Sequence, residues 1–265
     1  MRLRGRVLVV AGSDSGGGAG VQADIKAISA MGAYAATALT ALTAQNTLGV
    51  QGVLGVPAAF VTLQMRSVLD DLGADAVKTG MLADRSVIEA VAEALRTVPG
   101  VPLVLDPVMV AKGGQSLLDP AAVAALVHDL LPRAAVVTPN LPEAEALTGA
   151  PVADVAAMHR AAERLLRMGA AAVLLKGGHL PGGMLTDLLA TPDGTTAFEQ
   201  PRVPTRHTHG TGCTLASALA AGLAQGMDLP DAVARARAYV RAAIETAPGL
   251  GAGHGPLNHL VWAAG

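Results

Sequence analysis

The stretch VLVVAGSDSGGGAGVQAD, Val7–Asp24, decides the fold: an apolar run, a glycine-rich turn, then a segment that can start a helix. Arginines precede the apolar run, as in a secretory leader. The run is too short for one, however, and passes into Ser13-Asp14-Ser15 rather than a cleavage site, so it reads as a first strand. Gly18-Ala19-Gly20-Val21-Gln22-Ala23 satisfies the dinucleotide pattern G-x-G-x-x-G/A. The glycines stand too far beyond the strand for the tight turn that pattern requires. The acid needed about 20 residues on to hold a ribose is also absent, because no charged residue lies between Lys26 and Arg66. A nicotinamide-binding unit is therefore disfavoured, and no G-x-x-x-x-G-K-[ST] occurs anywhere.

Outward from this segment, short apolar runs alternate with amphipathic ones. Strands are predicted at Val7–Ala11, Ala35–Thr43, Ala76–Thr79, Leu103–Leu105, Ala135–Thr138 and Ala172–Lys176. Helices are predicted at Val21–Met31, Ala58–Asp71, Arg85–Arg96, Ala121–Asp129, Pro142–Leu147, Asp154–Met168, Gly212–Gln225 and Leu229–Thr246. Met184–Ala190 and Thr195–Glu199, around Pro192-Asp193-Gly194, read as an antiparallel hairpin. The rhythm predicts an α/β fold, a mostly parallel central sheet covered on both faces, and one domain spanning residues 1–265. Ligands of such sheets bind beyond the carboxyl ends of the strands. Polar residues collect there: Gly12-Ser13-Asp14, Gln45-Asn46, Thr79-Gly80-Met81, Asp106-Pro107, Pro139-Asn140 and Gly177-Gly178.

Bulk properties narrow the function. The 265 residues suffice for a sizeable core. A net charge of −2 gives no reason to expect nucleic acid or an anionic membrane as partner. The single cysteine excludes an intrachain disulfide and points to a reducing, cytoplasmic compartment. The uncharged stretches Lys26–Arg66 and Arg206–Asp228 are too weakly apolar and too interrupted to span a bilayer, and read as elements buried on several faces. Only Lys26, Lys78, Lys112 and Lys176 are lysines, which marks them as places where a compact ammonium can have a task.

A second glycine-rich segment, His209-Gly210-Thr211-Gly212-Cys213-Thr214, runs straight into the apolar helix TLASALAAGLA. Unpaired N–H groups and about half a positive charge collect at such a helix start, making an anion site suited to a transferring phosphoryl group. Cys213 lies in the first turn, where the dipole favours a thiolate and a bound phosphate opposes one. A buried, inert cysteine is the alternative. His207, His209, His254 and His259 lack a metal-ligand spacing, so no zinc is assigned.

AGSDSGGGAGVQADIKA, TALTAQNTLGV, VKTGM, LDPVMVAKGG, TPNLPEAEALTG, VLLKGGH, HTHGTGCT and GHGPLNH occur in order from residue 11 to 259. Through them the chain resembles the bacterial hydroxymethylpyrimidine/phosphomethylpyrimidine kinases of the ribokinase-like superfamily. The resemblance implies a three-layer α/β/α domain, a homodimer, and ATP- and Mg²⁺-dependent phosphorylation of 4-amino-5-hydroxymethyl-2-methylpyrimidine to its monophosphate and then its diphosphate. By motif it implies Asp24 and Gln45 as the polar readers of the pyrimidine, with Gly12, Met81 and Val108 lining the ring. Gly210, Thr211, Gly212 and Cys213 correspond to the anion hole, with Cys213 as proton acceptor. Asn140, Lys176 and Thr208 fall on the nucleotide side, and Glu143 and Asp106 on the magnesium side, through water.

The chemistry agrees. A primary amide pairs with an amino donor and a ring-nitrogen acceptor together, as Gln does with adenine, so Gln45 suits an aminopyrimidine, and Asp24 can accept from the same amino group. Alone, Gln45 would pass for a strand-end turn residue and Asp24 for a solvent-facing one beside Lys26. Lys176, before two glycines, can reach phosphates; Glu143 would otherwise be ordinary first-turn charge and Asp106 an ordinary strand-end turn. Lys112-Gly113-Gly114 reads as a lid over the phosphates, or as a plain loop. Two rival readings stay open: a pyridoxal kinase on the same fold, and a non-catalytic ligand-binding protein.

Overall fold

The computed structural model describes residues 4–109 and 120–262. Its elements run β1 (Arg6–Asp14), α1 (Gly20–Ala30), β2 (Tyr34–Asn46), β3 (Gly49–Gly55), α2 (Ala58–Asp71), β4 (Ala76–Thr79), α3 (Arg85–Leu95) and β5 (Leu103–Leu105). After them come α4 (Pro120–Ala125), β6 (Ala134–Val137), α5 (Leu141–Thr148), α6 (Val155–Arg167), β7 (Val173–Leu175), β8 (Met184–Thr191), β9 (Gly194–Pro201), α7 (Thr211–Ala224) and α8 (Leu229–Glu245). The predicted helix over 121–129 is α4 continued, from Leu126 to Leu130, by a wider π-type turn.

One nine-stranded sheet has the order β3-β2-β1-β4-β5-β6-β7-β8-β9. The six strands from β2 to β7 in this order run parallel, and β3, β8 and β9 pair antiparallel at the edges. Side chains alternate across a strand, and β1 shows the result. Leu8 and Val10 enter a core under α2 to α6, while Val7 and Val9 enter a second core under α1, α7 and α8. Both faces of the sheet are covered, which gives three layers, α/β/α, as the resemblance implies. Near-continuous Val, Leu and Ala in the central strands follows from burial on both sides.

Three differences from the sequence reading matter for the site. β1 and β2 continue to Asp14 and Asn46, so Ser13, Asp14, Gln45 and Asn46 are last rungs of strands rather than turn residues. β3 was not anticipated. Its segment GVQGVLG is glycine-interrupted and exposed along most of its length, so it lacks the alternation that betrays a half-buried strand. The two uncharged stretches also part company: α7 is buried from Thr214 to Gly222, whereas the other includes the exposed β3 and the exposed Phe60 and Leu63 of α2. Among the described residues, no helix is long and apolar enough to cross a membrane.

Candidate active site

The parallel strands end on one edge of the sheet, and α7 begins over that edge. Gly210 caps α7 in the left-handed conformation (φ 81°), and a Cβ there would lie 1.8 Å from the carbonyl oxygen of Gly18. Only glycine permits this close crossing of two loops. The first intrahelical bond runs from the Thr214 N–H to the Gly210 carbonyl, at 2.9 Å. Helix geometry thus leaves the N–H groups of Thr211, Gly212 and Cys213 without helical acceptors. Thr211 turns back to the Thr208 carbonyl, weakly through its N–H at 3.4 Å and firmly through its hydroxyl at 2.7 Å. The anion hole expected at Gly210 to Cys213 therefore divides its tasks: Gly210 sets the turn, Thr211 braces it on Thr208, and Gly212 and Cys213 supply the outward donors.

Lys176, at the carboxyl end of β7, faces this turn. Its Nζ lies 3.3 Å from where a Gly212 Cβ would stand, and it donates to Asp106 Oδ1 at 3.1 Å. Glu143 Oε2 is 4.0 Å from the same ammonium. Asn140 and Glu143 form a reciprocal cap at the start of α5, each backbone N–H bound to the other's side chain at 2.7 and 2.9 Å. The N-x-x-E spacing is a capping-box signal that could have been read from the sequence. Burial, reinforced by the charge of Asp106 and only partly relieved by Lys176 and Asn140, pushes the Glu143 carboxyl up to about 7.

A consequence can be measured. The folded chain keeps a proton on Glu143 that the unfolded chain has released, so stability falls as pH rises from the ordinary glutamate value to about 7. Between about pH 5 and about pH 8, without divalent cations, the parent's melting temperature should fall by several degrees relative to Glu143→Gln. Parallel melting curves would show that Glu143 is not held neutral.

The residues expected on the ring side lie on β1 and β2 and just beyond β4 and β5. Met81 Sδ would lie 3.2 Å from a Gly12 Cβ, so these two expected ring-lining residues are neighbours, and Gly12 makes room for the thioether. Val108 is half-buried beyond β5. The Gln45 side chain sits between Thr43 Oγ1 (3.3 Å) and His209 Nε2 (3.4 Å), in a cleft also lined by Asn46 to Val50 and His254.

Asp24 departs from one of its two readings. It is 0 % exposed, so it does not face solvent; Lys78 Nζ donates to its two oxygens at 2.9 and 3.0 Å, and the Ser217 hydroxyl to Oδ1 at 2.7 Å. Its carboxylate is turned to Lys78. Thr208 lies in the loop that Thr211 braces. Lys112-Gly113-Gly114 lies outside the described residues.

Two contacts escaped the sequence reading. Asp14 accepts from Gly16, Gly18 and Ala19 N–H groups at 2.8, 3.1 and 2.8 Å and contacts His209 Nε2 at 2.8 Å. Burial works against its charge, but the His209 contact and the N–H groups of Ala19 and Gly16 outweigh it and hold the carboxyl below the usual range. The pair ties the first glycine-rich loop to the second. The other is the pairing of Lys78, fully buried in β4, with Asp24.

A C-terminal strap completes the enclosure. The His254 N–H donates to the Thr47 carbonyl (2.9 Å), the His209 N–H to the Gly255 carbonyl (3.2 Å), and the Tyr239 hydroxyl to the His259 carbonyl (2.8 Å). His259 Nε2 meets Thr214 Oγ1 at 2.9 Å. Burial, with Lys26 adding to it, lowers the His259 pKa to about 4, so the ring is neutral where it touches α7.

Cys213 receives a hydrogen bond from the Gly20 N–H. Burial first, with Asp24 and Asp106 adding to it, pushes the thiol up to about 11 against the opposing charge of Lys78. The resting group is a thiol. Among the described residues, no cluster of three or more His, Cys, Asp and Glu could hold a metal ion. Asp106 and Glu143 are nonetheless two mutually repelling carboxylates, a donor pair suited to magnesium that keeps most of its waters.

The arrangement of an anion-binding helix start, a facing ammonium and two carboxylates is one for phosphoryl transfer. Comparison with known proteins agrees. The sequence pattern of phosphomethylpyrimidine kinases matches residues 14–258. The hydroxymethylpyrimidine/phosphomethylpyrimidine kinase of Rhizobium meliloti is 53 % identical, over 96 % of either chain. The thiamine biosynthesis bifunctional protein of Geobacter sulfurreducens is 54 % identical over 97 % of this chain, which spans only 53 % of that protein. Among solved structures, the ADP complex of Bacillus subtilis pyridoxal kinase superposes with a TM-score of 0.92 at 35 % identity, covering 99 % of this chain and all of that one.

Proposed function

Because the chain belongs to the phosphomethylpyrimidine kinase family, we propose that it phosphorylates 4-amino-5-hydroxymethyl-2-methylpyrimidine, then the monophosphate, giving the diphosphate for thiamine biosynthesis. ATP is the phosphoryl donor. The observation that carries this reading is Lys176 facing the first turn of α7, with Asp106 and Glu143 behind it. Gln45 reads the amino and ring-nitrogen edge, while Gly12, Met81 and Val108 form the apolar surround. Asp24 belongs to the same wall and reaches the ring only if it turns from Lys78.

Cys213 accepts the hydroxymethyl proton as the oxygen attacks. The N–H groups of Gly212 and Cys213, with Lys176, hold the charge that spreads over the transferring group. Asn140, Lys176 and Thr208 bind the nucleotide. Asp106 and Glu143 would hold magnesium through water, which supplies charge neutralisation on the phosphates when bound. The whole chain acts as one domain, in the cytoplasm, where a lone thiol stays reduced. The apolar side chains exposed on β2, β3 and α2, among them Leu42, Leu54, Phe60 and Leu63, support a homodimer through that edge.

A pyridoxal kinase is the second reading, favoured by the match to the Bacillus subtilis structure. Incubation of the pure chain with Mg–ATP and either ring, followed by product analysis, separates the two. Diphosphate from the pyrimidine is expected, and pyridoxal phosphate alone would reverse the assignment. Gln45→Leu should cost pyrimidine turnover about 10²-fold or more, since the ring's polar edge loses its partner. Comparable losses with pyridoxal, which has no 4-amino group, would remove Gln45 as the reader.

A further inference from the structure

Lys78 has no place in the mechanism above, yet it is the most deeply placed cation near the site. Its side chain is 0 % exposed. In the sheet it stands beside Val104, which lies in the core under α1, α7 and α8, so Lys78 projects towards α7. Its Nζ would be 3.0 Å from a Cβ at Gly80, two residues further along. The ammonium therefore bends towards the carboxyl end of the strand, where the site is. Asp24 of α1 holds it there, and Ser217 of α7 holds Asp24. Ser217 is four residues after Cys213, hence on the same face of α7 one turn below it.

Such a cluster is not explained by stability. Burial works against both charges of the pair, and apolar replacements of buried ion pairs are often equally stable. We take the pair as ionised, because the carboxylate receives three donated hydrogen bonds, two from Lys78 and one from Ser217. Four charged groups act on the Cys213 sulfur: Lys78 from β4, Asp24 from α1, Asp106 from the end of β5 and Lys176 from the end of β7. Lys78 is the leading one that favours a thiolate, and it does so from a position held by Asp24.

We propose that Lys78 is a positioning residue for phosphoryl transfer: fastened by Asp24 and Ser217 beneath the first turn of α7, it supplies the permanent positive charge against which Cys213 loses its proton. In the sequence this implies, the thiol releases its proton to solvent. The thiolate then takes the proton of the substrate hydroxyl as the new O–P bond forms and the bond from phosphorus to the departing ADP oxygen breaks. The inference rests on the kinase reading for the role of Cys213, but not for its test.

Cys213 is the only cysteine in the chain, so alkylation by iodoacetamide reports on it alone. Its pH dependence is measured on the full chain without ATP or pyrimidine. Lys78→Met/Asp24→Asn removes both buried charges together and leaves neither unpaired. The two charges act on the sulfur in opposite senses and Lys78 is the stronger, so the alkylation midpoint of this variant should rise by about half a pH unit, an approximately threefold slower reaction at a fixed pH below it. The pH profile of ADP formation should move the same way. Ser217→Ala, a smaller change to the fold, should slow alkylation about threefold by loosening the pair. A lowered melting temperature with both pH curves unmoved means that the cluster is only structural, and the proposal fails. Failure of the kinase reading would instead appear as absent turnover in the parent, with the alkylation shift intact.

Discussion

Gly210→Ala is expected to reduce turnover at least about 10²-fold, the scale of losing one preorganised donor to a developing anion. The added Cβ would stand 1.8 Å from the Gly18 carbonyl oxygen and 2.8 Å from its carbon, with φ at 81°. Both obstacles are backbone, so no side-chain rotation relieves them. Either the first turn of α7 lifts, spoiling the aim of the Gly212 and Cys213 N–H groups, or the Gly16–Gly20 loop retreats and takes the Asp14–His209 contact with it. Gly226, beyond the other end of α7, is the control. It shares the left-handed backbone (φ 80°), but no atom lies within 4 Å of its missing Cβ. Gly226→Ala should cost about 1–2 kcal/mol of stability through backbone strain alone, with turnover retained. Steady-state ADP formation and melting curves on both variants make the comparison. Gly210→Ala within about threefold of the parent would remove the crossing of the two loops from the mechanism.

Cys213→Ala should lower turnover by about 10² to 10⁴, the range for removing a general base, while pyrimidine affinity changes little. In the proposed mechanism the thiol serves the reacting hydroxyl while Gln45 reads the ring, so binding and chemistry should separate. A thiol held at about 11 is largely protonated at neutral pH, but once ionised it is a strong proton acceptor. The substitution leaves the Gly20 N–H without its acceptor, so some loss of stability is expected and must be measured beside turnover. Cys213→Ser keeps an acceptor for that N–H and should restore stability more than rate. Near-normal turnover in the alanine variant would leave the anion hole in place and take the base away.

How far the sequence carried these conclusions varies with the interaction. α2, β4 and β5 were legible to the residue, because their periodicity and punctuation are local. α7 was legible as buried because it carries no charge. β3 was not, since an exposed edge of Gly, Val, Leu and Gln has neither alternation nor a turn dipeptide to announce it. In the site, the anion-binding turn was visible as glycines before an apolar helix. The Lys78–Asp24 pair was not: its members are 54 residues apart, and nothing local distinguishes a lysine in a strand from a surface one. Asp24 is no surface charge beside Lys26, since it is fully buried against Lys78. Asp14 and His209, separated by 195 positions, were hidden for the same reason. Glu143 was half-legible, since the capping box marks its helix start but not the ammonium opposite.

The C-terminal strap also bears on when the protein becomes competent. Thr47 contacts Gly253 across 206 positions, and His209 reaches both Asp14 and Gly255. During synthesis, β1, β2 and the loop at Thr47 leave the ribosome long before the residues that close over them. Long-range closures of this kind are slow to form and leave surface exposed meanwhile. A nascent chain arrested before residue 251 can thus build most of its sheet yet cannot finish its pocket. Activity arrives late, with the last contacts made.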